Sequence, residues 1–179
     1  MYNFKFILIL KNNLLYRIMN YIKCLNQTQG KLNETKVLKY LNRKNDEDDF
    51  WLDNNVKNNR GVIDFRHNTK NFMVELKSRN FNYNDYDDWQ IGLNKIVHMM
   101  ENPEYQYVVF FLFYDGLYSW NFNIANLINN CCCKEGGTNK RGTNEITDNV
   151  FIKKEYLTLV SADVVNEPLE EEDDDICLL

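Results

Sequence analysis

An aspartate, ten residues, and then Glu-Leu-Lys: in the stretch GVIDFRHNTKNFMVELKSRNF, Asp64, Glu75 and Lys77 stand inside short apolar runs. Charges in such runs are costly unless something pairs with them. Two carboxylates from adjacent strands can share one hard divalent cation, which prefers oxygen ligands and retains waters. The backbone carbonyl of Leu76, between Glu75 and Lys77, offers a further oxygen. A cation so held lowers the pKa of a bound water and stabilises charge developing on a phosphate. Lys77 is then placed to orient or deprotonate that water, or to offset the new charge. The competing reading puts Glu75 and Lys77 on the exposed face of a hairpin, paired with Arg66 or Arg79 and worth little.

The elements that must position these groups follow from periodicity. VIDFRH and NFMVELKSR, joined by NTK, read as two strands of a hairpin-like pair. Side chains alternate along a strand, so Glu75 and Lys77 share one face while Phe72, Val74 and Leu76 take the opposite, core-facing side. Upstream, Leu32, Val37, Leu38 and Leu41 recur at helical spacing over residues 31–43, with Glu34 on the first turn. Phe50, Trp51 and Leu52 interrupt a polar connection as a short strand. Downstream, residues 85–101 open on acidic residues and carry an apolar stripe of Trp89, Leu93, Ile96, Val97 and Met100, which predicts a helix stopped by Pro103. Residues 105–122 read as a buried strand, an Asp115-Gly116 turn and a second strand. Residues 129–149 read as a loop, and VFIKKEYLTLV as a strand with a short helical turn near Tyr156. Helix, three strands, helix and strands in that order predict an α/β fold.

Asp64, ten residues and Glu75-Leu76-Lys77, with a Glu34-bearing helix before and a helix after, resembles the PD-(D/E)XK nuclease superfamily of restriction enzymes, phage exonucleases and junction resolvases. The resemblance spans roughly residues 31–122. It implies a restriction-endonuclease-like core, a mixed four-stranded sheet flanked by helices, and Mg²⁺-dependent (or Mn²⁺-dependent) hydrolysis of phosphodiesters leaving a 5′-phosphate. By the same resemblance Asp64 and Glu75 bind the metal with the Leu76 carbonyl, Glu34 is an additional ligand, and Lys77 assists the nucleophile. Ile63 stands where the superfamily often has Pro. Gln90 is similar to the Gln of the exonuclease-like branch, although Asn94 replaces the Tyr expected four residues later. The Asn-rich chain, with ELKSRNF running into YDDWQIGLNK, also resembles small nuclease-like proteins of large DNA viruses. A catalytically silent relative, binding nucleic acid or a protein partner without cutting, is the alternative.

The formal charge of −5 on 179 residues would oppose a nucleic-acid partner. Residues 161–179, however, hold 8 of the 26 acidic residues and no basic one, leaving residues 1–160 with 21 basic and 18 acidic residues, a balance of +3. Runs like Glu170 to Asp175 repel themselves, which predicts a disordered tail over 161–179 that solvates the chain or competes for a partner. Residues 31–160 form the expected nuclease-like domain. Arg66, Arg79, Gln90 and Lys95, with Lys70, Lys134, Lys140 and Arg141, are the expected contacts to DNA or, alternatively, RNA, and Tyr83, Tyr86 and Trp89 offer faces for stacking. Enzymes that cut both strands pair two sites about a twofold axis, so a homodimer is compatible. Five cysteines, three of them adjacent at 131–133, suit neither a disulfide framework nor zinc and point to a reducing, intracellular compartment, the cytoplasm or nucleus, in the host cell if the source is viral. His67 and His98 are expected to be structural. The N-terminal apolar run, Phe6 to Leu10, is too short for a membrane span, and no membrane partner is expected. Residues 1–30 read as an extension or an amphipathic helix, with Met19 as a second candidate start.

Overall fold

The structure is a computed structural model that describes residues 25, 27–43, 49–54, 62–136 and 147–166. The expectations for the N-terminal extension before residue 25, for Lys140 and Arg141, and for the acidic run fall outside these residues.

A helix over residues 27–42 (α1) extends beyond the N-terminal bound of 31 that the spacing predicts. Strands β1 (Trp51–Asp53), β2 (Phe65–His67) and β3 (Phe72–Ser78) follow, each antiparallel to the one before. Strand β4 (Asp88–Gly92) runs directly into helix α2 (Leu93–Glu101). Strand β5 (Gln106–Phe113) returns parallel to β3, and β6 (Gly116–Asn121) is its hairpin partner. Helix α3 (Ile124–Asn130), β7 (Cys131–Gly136), β8 (Thr147–Lys153) and β9 (Thr158–Ser161) complete the described chain. Six strands form a mixed sheet in the order β1-β2-β3-β5-β6-β9, and β4-β8-β7 form a second, antiparallel sheet. The fold is therefore α/β with a mixed central sheet and three helices among the described residues.

Alternation along β5 explains the layering. Val108, Phe110 and Leu112 pack with Val37 of α1, Phe65, Val74, Leu76, Leu117 and Val164, whereas Tyr107, Val109, Phe111 and Phe113 pack with Trp89, Ile91, Ile96, Met99, Val150 and Ile152. The central strands are thus buried on both faces, α1 covering one and α2 with the second sheet covering the other. Each fully buried Phe, Ile or Leu of these layers contributes roughly 1.5–3 kcal/mol relative to exposure. The β5–β6 hairpin turns at Tyr114-Asp115, and Gly116 enters β6 with φ of 156°, where a side chain would also meet Leu159 and the Ser161 carbonyl.

Three expectations are corrected. Residues 85–92 are not the first turns of a helix: Tyr83–Asp85 form a 3₁₀ turn and Asp88–Gly92 a strand, because Trp89 and Ile91 alternate into the core and the backbone pairs with β8. Part of the loop expected over 129–149 is β7, whose polar CCCKEG sequence is extended only through its ladder with β8. Residues 161–166, placed with the tail, fold back as the end of β9 and a 3₁₀ turn that carries Val164 fully into the core. Among the described residues no helix is long and apolar enough to cross a membrane.

Candidate functional site

Strand β2 begins at Phe65, short of the far end of its antiparallel partner β3, and the site forms at that step. The register pairs Phe65 with Val74 and Arg66 with Met73, so the next position outward sets Asp64 across from Glu75. There the ladder is replaced by a side chain: the Leu76 N–H donates to Asp64 Oδ2 at 2.8 Å. The Asp64 carbonyl accepts from the Asn54 N–H at 2.8 Å, and the Asn54 side chain donates to the Ile63 carbonyl at 3.0 Å, which fixes Asp64 against the end of β1. Asp64 is thereby held at its carboxylate by the Leu76 N–H and at its backbone by Asn54.

Val74 and Leu76 point toward α1, so Glu75 and Lys77 point toward α2 and the second sheet, on the same face as Met73. Glu75 is 0% exposed. The exposed-hairpin reading fails on that burial. A carboxylate without solvent needs cationic partners, and two are present: Lys77 Nζ lies 2.5 Å from Oε1 and Lys95 Nζ 2.9 Å from Oε2. Lys95 Nζ also donates to the Val62 carbonyl. Burial pushes the Glu75 carboxyl above its usual range; Lys77 and Lys95 pull it down, while Asp64 pushes it further up.

Glu34, half-buried on α1, has its carboxyl raised, first by burial and then by the fields of Asp64, Asp53 and Glu75, with Lys31 opposing. Glu34 therefore feels acids from β1, the approach to β2 and β3, yet among the described residues no three His, Cys, Asp or Glu side chains are grouped as a ready metal cage. The Leu76 carbonyl shares a strand edge with the N–H that Asp64 accepts.

The expected nucleic-acid contacts divide. Arg66 stands opposite Met73 and so shares the face of Glu75 and Lys77. Arg79 is turned inward: its guanidinium donates to the Gln90 and Ser78 carbonyls and lies 5.9 Å from the Phe111 ring centre, and burial lowers its pKa to about 10. Gln90 sits on β4, not on a helix, half-buried opposite Phe151. Lys95 belongs to the carboxylate cluster, a role that periodicity did not reveal. Its only sequence signal is its place in the first turn after the Gly92 bend. His67 is buried and structural, its Nδ1 accepting from the Thr69 and Lys70 N–H groups and its Nε2 3.2 Å from Asp49. Cys131, Cys132 and Cys133 are free thiols on β7.

No protein-family model, curated protein or solved structure matches this chain.

Proposed function

We propose that this chain is a metal-dependent nuclease of the PD-(D/E)XK kind, cutting DNA phosphodiester bonds to leave a 5′-phosphate. The observation that carries the reading is that Asp64, just before β2, lies across from Glu75 of β3 and accepts from the Leu76 N–H, while Lys77 pairs with Glu75. It is supported by the order α1, β1, β2, β3, β4, α2, β5, in which all of these strands but β4 belong to the mixed sheet, and by the +3 balance of residues 1–160. The donor chemistry fits a hard divalent cation, Mg²⁺ or Mn²⁺, held by Asp64, Glu75 and the Leu76 carbonyl, with Glu34 as the further carboxylate. Such a cation, when bound, supplies an acidified water and neutralises phosphate charge. The chain's own residues do the rest: the Leu76 N–H fixes Asp64, the buried sheet fixes Glu75, and the Lys77 ammonium beside them orients the attacking water and offsets charge on the phosphate.

A second reading is a nuclease-fold protein that binds nucleic acid or a partner subunit without cutting. The two ammonium groups on Glu75 favour it, since they already satisfy both carboxylate oxygens.

Purified protein incubated with plasmid and with single-stranded circles, in Mg²⁺, Mn²⁺ or chelator, separates the two. Metal-dependent nicking that Glu75→Ala abolishes, and that Lys77→Ala slows by about 10²- to 10⁴-fold, is the expected result. Retardation of DNA with no product at any metal concentration supports the binding-only reading, and cutting unaffected by either substitution refutes the assigned site.

A further inference from the structure

We infer that Lys95 is a displaceable counter-ion on Glu75, an ammonium that a divalent cation must exchange for on entering the site. The inference rests on the metal-dependent reading above and names what controls its first step. Both oxygens of a fully buried carboxylate are engaged, one by each lysine, and a buried anion stripped of its partner is strongly unfavourable. Cation entry at Glu75 is therefore an exchange of charge, not an addition to an open site.

Geometry assigns the exchange to Lys95. Lys77 is two residues from Glu75 on the same strand face, in a strand paired on the β5 side along its whole length, and its contact is 2.5 Å. Lys95 reaches across from another element, with a contact of 2.9 Å. It is the third residue of α2, in the first turn, where the helix macrodipole repels a cation. Released from Glu75, its ammonium keeps the Val62 carbonyl as a second acceptor. The extra positive charge left after exchange is met by Asp64, Glu34 and Asp53, the acids gathered beside Glu75.

The test is a calorimetric titration of Mn²⁺ into the full chain and its Lys95→Met, Lys95→Gln and Lys95→Arg variants, with folding checked by thermal melts and Glu75→Gln as the control that removes binding. Removing the competing ammonium is expected to tighten Mn²⁺ binding about tenfold in Lys95→Met and Lys95→Gln, while Lys95→Arg, which keeps the charge, stays near wild type. A purely structural Lys95 would lower melting temperatures and leave the affinity unchanged, which overturns the inference. Cutting by wild type with unchanged Mn²⁺ affinity in the neutral variants removes the inference and leaves the nuclease reading standing. Tightened Mn²⁺ binding without cutting by any form does the reverse, and no Mn²⁺ binding by any form overturns both.

Discussion

Glu34 and Glu75 are acids whose surroundings oppose their charge, and this makes the site sensitive to pH in a defined direction. A carboxyl whose folded pKa is raised adds stability that is complete below its unfolded value, near 4.5, and lost as pH rises through the folded value. Glu34 is raised chiefly by burial, then by Asp64 and Asp53. Replacing it with Gln removes the penalty. Thermal melts at pH 5 and pH 8 are expected to show Glu34→Gln gaining on wild type as pH rises; equal shifts at both values would mean that the fold does not raise the Glu34 carboxyl. The pairing of Glu75 with Lys77 is legible from the two-residue alternation of a strand. Its pairing with Lys95 is not, because residues 75 and 95 meet only when the α2 face is set against the central sheet.

At the scale of elements, the step just before β2, where the Asp64 side chain takes over the pairing, joins stability to the proposed chemistry. Asp64→Ala leaves the Leu76 N–H without its acceptor at a half-buried position and is expected to cost about 1–3 kcal/mol in urea unfolding. A variant as stable as wild type would show that Asp64 has no structural share in the site. The strand β4 shows why elements are misread. Trp89, Leu93, Ile96, Val97 and Met100 fit a helical stripe, but Trp89 and Ile91 also alternate, and the two patterns overlap for a few residues. The ladder with β8, some sixty positions away, decides between them. Strand β7 has no apolar alternation at all: its residues are mostly exposed on the edge of the second sheet, so only its partner makes it a strand.

The whole molecule carries its charge unevenly, and the consequence is measurable. Residues 167–179 contain seven acidic residues and no basic one, so ending the chain after Asn166, which keeps the buried Val164, moves the formal charge from −5 to +2. Association with a labelled duplex is expected to strengthen at 50 mM salt and to converge on the full chain's value at 200 mM, since the effect is screened. Equal binding at low salt would show that the acidic run does not oppose DNA. On this same scale the sequence alone determined the hairpin-like β2–β3 pair, the shared face of Glu75 and Lys77, the helix bearing Glu34 and the buried β5–β6 hairpin, because all of these follow from local spacing. Only the tertiary structure decided that both faces of the central sheet are covered, that Glu75 is wholly buried, and that Lys95 closes over it. Those facts depend on which distant segments stack on which face, and a pairing between residues far apart in the chain leaves no local period to read.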